Sequence, residues 1–240
     1  MAKHTVKYGK SEITFELTRK NVKNINLRIK PDMSIWVSAN KNVPLEAIEN
    51  FVKQKGEWIH KHINYFREFQ PVRCTKLEYL SGESVRYLGR QYRLRVRESD
   101  TETVKYMRGF IYLCVKDTSD VSRKEKLFKR WLNERALEHF HESLDRMHET
   151  VKNYKIPKPE IKIREMKSRW GSCHRDAGLI VLNSKLIKTP KDCIDYVVLH
   201  ELAHFKYKNH DSQFYTFLTS LMPDWKMRKK MLDDEVIKGL

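Results

Sequence analysis

Two histidines four residues apart, with a glutamate next to the first, constrain this chain more than any other feature: His200-Glu201-Leu202-Ala203-His204. On an α-helix, residues four apart sit about 40° apart around the axis and about 6 Å along it, so both imidazoles can reach one metal ion. Glu201 leaves the flank of the same turn, where a carboxylate can hold and deprotonate a water at that metal. A third imidazole, His210, follows six residues after His204. Three protein ligands with an open fourth position form the donor set of a catalytic zinc site.

The flanking sequence predicts a buried helix around this motif. Cys193-Ile194-Asp195-Tyr196-Val197-Val198-Leu199 continues through Leu202 and Phe205 as one apolar side. Thr189-Pro190-Lys191-Asp192 opens it with a capping candidate, a proline in the first turn and an early acid. Two satisfied core histidines are the plain alternative. His210 cannot act with the pair on a continuous helix, because six further residues rotate it about 240° away. The helix must break, and Asn209 is the residue of Phe205–Asn209 that most readily takes a left-handed backbone. Asp211 or Ser212 can then cap a following helix, whose Phe214, Phe217, Leu218 and Leu221 recur at helical spacing. A later acid as third ligand would have to be Asp224, Asp233, Asp234 or Glu235; His210 is the reading taken.

The 240 residues, 40% hydrophobic and 11% aromatic, suit a folded protein. The apolar runs are far short of a membrane span, and the N-terminus lacks the apolar stretch of a secretory signal. Cys74, Cys114, Cys173 and Cys193 are scattered without CxxC pairing, which argues against a thiolate zinc site or a disulfide framework. A reducing cytoplasm is the expected compartment. The net charge of +17 concentrates anions: nucleic acid, nucleotides, acidic peptides or anionic lipid. No helix-turn-helix or zinc-finger spacing accompanies it, so sequence-specific binding is not expected, and a merely solvated basic surface remains open.

Along the chain, residues 5–40 read as strands: Ile13–Leu17, Ile25–Ile29 and Ile35–Val37 alternate, with Pro31-Asp32 as a turn. One helix is expected from Asn42 and Pro44 to about Phe69, with Leu45, Ile48, Val52, Ile59, Ile63 and Phe66 inward and Pro71 ending it. Strand patterns return over residues 77–116. Val85–Leu88 and Tyr92–Val96 flank Gly89-Arg90 as a hairpin, and Gly109 separates Val104–Met107 from Phe110–Val115 in the same way. A long helix follows from Asp120 to about Tyr154, with Leu127, Trp131, Leu137, Phe140, Leu144, Met147 and Val151 inward. His139, His141 and His148 on it read as surface or packing residues. Strands at Ile161–Ile163 and Gly178–Asn183 come next. The expected architecture is α+β, a β-rich unit with one helix over 1–118 and a metal-binding catalytic domain over 119–240. No internal repeat is visible.

Arg169-Trp170-Gly171-Ser172-Cys173, Leu182-Asn183, Ile194–Val198, the HExxH motif and Asn209-His210 together resemble the YgjP-like metal-dependent hydrolases, zincin-type metallopeptidase relatives akin to the Wss-like and SprT-like groups. The resemblance implies a zincin-like catalytic domain in which His200, His204 and His210 hold Zn²⁺ and Glu201 is the general base. It implies further that Arg169–Cys173 borders the cleft, and that Gly178–Asn183 is the sheet edge along which an extended peptide adds. Tyr207, Arg169 and His174 are candidates for stabilising an oxyanion. Trp170 suits either a pocket wall or packing, Cys173 beside His174 a further metal site or, favoured, a small buried thiol, and Asp195 either orients a ligand histidine from behind or faces solvent. The expected activity is peptide hydrolysis. The alternatives are hydrolysis of a nucleoside triphosphate such as UTP to release pyrophosphate, or a non-enzymatic basic partner of a nucleic-acid-processing complex.

Overall fold

Alternating apolar residues build three small sheets, and six α-helices pack against them, among the residues that the computed structural model describes: 2–9, 11–29, 33–68, 77–166 and 169–237. The chain forms two compact units, Met1–Cys74 and Thr75–Val236. The border lies well before residue 118. The strands over 84–115 bury Val85, Leu94, Ile111, Leu113 and Val115 in one core with the long helix and the metal-motif helix, so they belong with the second unit.

In the first unit, β1 (Ala2–Tyr8), β2 (Ser11–Arg19), β3 (Asn26–Ile29) and β4 (Ile35–Ala39) form a sheet in the order β1-β2-β4-β3. Strands β2 and β4 are parallel and the other neighbours antiparallel. Phe15, Leu17, Ile35 and Val37 face a core completed by Ile48, Val52 and Ile59. The single helix expected here is two, α1 (Leu45–Gln54) and α2 (Gly56–Glu68). The break has a steric cause: a Cβ at Gly56 would lie 2.3 Å from the Tyr8 ring, so the chain passes beneath that ring at a glycine, a poor residue for a helix interior. Leu45 is exposed rather than part of the buried stripe. The expected Pro31-Asp32 turn, the Phe69 helix end and the Pro71 stop lie outside the described residues.

The second unit opens with β5 (Ser84–Tyr87), β6 (Arg90–Glu98), β7 (Thr103–Met107) and β8 (Phe110–Val115), in the order β5-β6-β8-β7 with β6 and β8 parallel. This is the arrangement of the first sheet over again, a structural repeat that no sequence periodicity announces. The β5–β6 turn uses Leu88 and Gly89, both with positive φ (47° and 78°), as the twist of a two-residue hairpin demands. Its tip docks on the segment entering the metal-motif helix: Leu88 and Gly89 donate to the carbonyls of Ile187 and Lys188 at 2.9 and 3.0 Å.

Helix α3 (Val121–Val151) is capped by Asp120, whose side chain accepts from the Arg123 amide, and it buries Leu127, Trp131, Phe140 and Leu144. Leu137, expected inward, is exposed. Its histidines do structural work: His139 is buried against the Tyr87 hydroxyl at 2.9 Å, and His148 bonds the Ile156 carbonyl at 3.0 Å. Next come β9 (Glu160–Arg164), β10 (Gly171–His174) and β11 (Leu179–Asn183), then helices α4 (Lys191–Ala203), α5 (Ser212–Leu221) and α6 (Trp225–Ile237). The third sheet runs β10-β11-β9. Strand β11 is therefore central, parallel to β9 on one side and antiparallel to β10 on the other. The expectation that Gly178–Asn183 forms the open edge is corrected: β10 and β9 are the edges, and β10 is the one that lines the cleft. Among the described residues no helix is long and apolar enough to cross a membrane.

Candidate functional site

Helix α4 is buried along almost its whole length, and packing rather than capping starts it. Thr189 does not cap; its hydroxyl donates back to the Leu186 carbonyl at 2.8 Å, and Pro190 precedes the first turn without a side-chain bond. Ile194, Val198, Leu199 and Leu202 anchor the helix in the core. That anchoring leaves His200, Glu201 and His204 at the edge of a cleft of about 1050 Å³.

The chain leaves α4 without a left-handed residue between His204 and His210, so the reversal expected at Asn209 takes another form. Phe205 and Lys206 bond three residues back, to the carbonyls of Leu202 and Ala203, which tightens the last turn. His204 Nδ1 then donates to the Tyr207 carbonyl at 3.0 Å, tying the departing loop to the helix end. Asp211 caps α5 by accepting from the Phe214 amide at 2.9 Å. Between these two ties, the loop returns His210 to the cleft.

The three imidazoles converge. His210 Nε2 lies 2.9 Å from His200 Nε2 and 3.1 Å from His204 Nε2, and one nitrogen from each ring lies within 4.8 Å of the others. The proton on His204 Nδ1 is required by the Tyr207 carbonyl, so its Nε2 presents a lone pair. Burial, with the other two imidazoles adding to it, pushes His200 down to about 3, and burial also lowers His204. Neutral rings that aim nitrogens at one point repel one another unless a cation lies between them, so this donor set fits a divalent ion that takes nitrogen ligands. Phe214, fully buried, backs the cluster with ring centroids 5.0, 4.8 and 4.8 Å from His200, His204 and His210.

Glu201 is buried, and desolvation raises its carboxyl to about 7, against a smaller opposing pull from Arg169. It packs against β10, where Gly171 leaves room for it. The expected border segment is indeed the cleft wall: Arg169, Trp170, Gly171, Ser172, Cys173 and His174 all line it. Asn183, buried at the end of β11, holds this wall by donating to the carbonyls of Met166 and Arg169 at 2.9 and 2.8 Å. Trp170 both lines the cleft and packs on the core. Cys173 is half-buried, its thiol pushed up to about 12 by burial and by Glu201.

Two sequence-derived roles fail. Asp195 neither faces solvent nor reaches a ligand histidine; it accepts from Ser143 Oγ at 2.6 Å and pairs with Arg146 at 2.7 Å, fastening α4 to α3. Among the described residues His200 Nδ1 is buried with no hydrogen-bond partner. Tyr207 lies outside the cleft lining, its ring packed on Phe217 at 5.4 Å. Sequence reasoning passed over Tyr196, which lines the cleft four residues before His200, with ring centroids 5.9 Å apart. Its i, i+4 spacing to His200 was the available signal.

With this geometry in view, the comparisons with known proteins carry weight where they are extensive. The family model for the YgjP-like metallopeptidase domain matches residues 23–235. No curated protein matches the chain. Among solved structures, the crystal structure of the metallopeptidase zymogen of Pyrococcus abyssi abylysin is similar, with 22% identity over 42% of this chain and 94% of that one and a TM-score of 0.36. The zymogen of Methanocaldococcus jannaschii jannalysin gives 24% identity, 40% and 88% coverage, and a TM-score of 0.34. Because the family match runs through nearly the whole chain, cleft included, the protein belongs to the YgjP-like metallopeptidase-domain family and is a metal-dependent hydrolase.

Proposed function

We propose that this protein is a zinc peptidase of zincin-like design, with His200, His204 and His210 as ligands and Glu201 as general base. The observation that carries the reading is the convergence of three imidazole nitrogens beside a buried carboxylate, on the wall of one cleft. The long helix α3 behind the metal helix, with a small sheet alongside, supports the zincin reading. When bound, zinc would supply a Lewis acid for the scissile carbonyl and for the attacking water.

The protein's own groups supply the remainder. Glu201 takes a proton from the attacking water and hands it to the leaving amine, and a carboxyl raised to about 7 is matched to both transfers. Strand β10 gives an extended peptide its docking line. Asn183 donates to the Trp170 carbonyl at 2.8 Å, which makes that pair the hydrogen-bonded one in the antiparallel register. By alternation Gly171 and Cys173 then turn their N–H and C=O groups outward, where another strand can pair with them. Arg169, in the cleft wall and electrostatically coupled to Glu201, is assigned the oxyanion role ahead of His174.

Arg169, Arg175 and Lys208 in the same lining favour one second reading, hydrolysis of a nucleoside triphosphate. A single screen separates the two: zinc-loaded wild type and Glu201→Gln, metal content measured, against a peptide library and the common nucleoside triphosphates. Peptide cleavage that falls at least about 10²-fold in Glu201→Gln, with zinc retained, is expected. Pyrophosphate or phosphate release with no peptide cut would replace the peptidase reading by the second.

A further inference from the structure

Strand alternation gives the second sheet two faces of opposite character. One buries Leu94, Ile111, Leu113 and Val115. The other presents Arg93, Arg95 and Arg97 from β6 and Phe110 and Tyr112 from β8, with Arg93 opposite Phe110 and Arg95 opposite Tyr112 in the parallel register. Lys105 on β7 stands opposite Tyr112 from the far flank. All four cations are exposed and both rings half-buried. The Arg95 guanidinium lies 4.0 Å from the Phe110 centroid and that of Arg97 5.0 Å from Tyr112. No Asp or Glu occupies an outward position on these four strands, and among the described residues none of the three arginines pairs with a carboxylate. Arg86, outward on β5, is excluded from this face's free charge because Glu235 holds it.

Cations grouped this way repel one another, and a polyanion relieves the repulsion. The rings narrow the choice of polyanion. Phe110 and Tyr112 have centroids 6.4 Å apart, neighbours on one face of a strand interior to the sheet. Each ring carries a guanidinium over its face, a flat group that an unpaired base can stack upon or replace, whereas a duplex hides the faces of its bases. We propose that this sheet face binds single-stranded nucleic acid, with phosphates on Arg93, Arg95, Arg97 and Lys105 and two successive bases on Phe110 and Tyr112. The site belongs to a different sheet from the metal cleft and is independent of the chemistry there.

Fluorescence anisotropy of the full chain with labelled dT20, rU20 and a 20-base-pair duplex, at rising KCl, tests this. Wild type is expected to hold the single strands more tightly than the duplex. Changing Arg93, Arg95 and Arg97 to Gln should weaken single-strand binding at least tenfold and remove about two from the slope of log affinity against log salt. Phe110→Leu and Tyr112→Leu, which keep apolar volume, should each cost about tenfold while leaving that slope intact. A control that removes the same charge from α3 and the residue just after it (Lys126, Arg130 and Lys152 to Gln) should change affinity less than threefold. The proposal is overturned if the control matches the sheet variant or if the duplex binds as well as the single strands. It is equally overturned if the leucine variants bind like wild type, or if phosphatidylserine vesicles or polyglutamate outcompete dT20 for these residues.

Discussion

Gly171 and Glu201 touch across the cleft: a Cβ added to Gly171 would fall 2.6 Å from Glu201 Oε1 and 2.8 Å from its Cγ. The glycine is thus a condition for the position of the Glu201 carboxylate, the proposed general base, rather than a turn residue, since it sits in strand β10. Gly171→Ala must push the carboxylate aside. A displacement near 1 Å at a reacting group costs about 10²-fold in rate. Gly171→Ala is therefore expected to lower kcat/KM by about that factor with zinc content unchanged. Wild-type turnover in the alanine variant would show that Glu201 has freedom this packing denies it.

The three-histidine site predicts a stability linkage. Chelation should abolish activity and lower Tm, and zinc at 100 times its Kd should restore about 2.7 kcal/mol. His210 is exposed, so His210→Ala should leave the metal-free Tm unchanged while stripping zinc from the protein. Calorimetry with metal analysis reads both. Zinc stoichiometry of one in the alanine variant would point to a ligand elsewhere.

Asp195 separates a fastening role from a metal-tuning one. Asp195→Ala removes the acceptor for the buried Ser143 hydroxyl and should cost about 1–3 kcal/mol. The half-exposed Arg146 adds little to that. Zinc affinity of the folded variant should match wild type. A tenfold drop in affinity at unchanged stability would restore Asp195 to the metal's surroundings.

At this cleft, metal-free protein carries opposing pH dependences, one from Glu201 and the other from the lowered histidines. Burial raises Glu201 to about 7 from an ordinary 4.5. The folded state then keeps a proton the unfolded chain releases, so this contribution is full below about pH 4.5 and lost as pH rises through 7. His200, lowered to about 3 from 6.5, does the reverse: its contribution is present above about pH 6.5 and lost as pH falls through 3. Between pH 4.5 and 6.5 Glu201 and His200 offset each other in wild type, and the lowered His204 adds to the His200 side. Glu201→Gln removes the first alone, so its stability should climb more steeply with pH over that window, by up to about 1.4 kcal/mol per pH unit. Parallel denaturant-midpoint curves for the two proteins would contradict the assignment.

Local chemistry was legible in the chain. The i, i+4 spacing of His200 and His204 follows from helix geometry alone, and Asp211 capping α5 follows from side-chain reach. The hairpins around Gly89 and Gly109, the long α3 and three of the four strands of the first sheet, β1 being the exception, follow from periodicity. Roles set by partners distant in sequence were not legible. Asp195 points to Ser143 and Arg146, Thr189 bonds back to Leu186, and the α1–α2 break answers to Tyr8.

Which strand is the open edge shows why. Residues 161–163 and 178–183 read as strands while 171–174 carries no strand pattern, and alternation in any case records only which side chains share a face. The order β10-β11-β9 is decided by long-range backbone pairing that brings β9 to the far side of β11, leaving β10 against the cleft. In the same way an HExxH spacing puts two imidazoles and a carboxylate on one helix turn wherever that helix lies. Only the packed structure, by burying α4, looping His210 back and seating Gly171 against Glu201, brings those groups together in a single cleft. Helical geometry is intrinsic to neighbouring residues, whereas burial and strand order are properties of segments that meet only after the chain has folded.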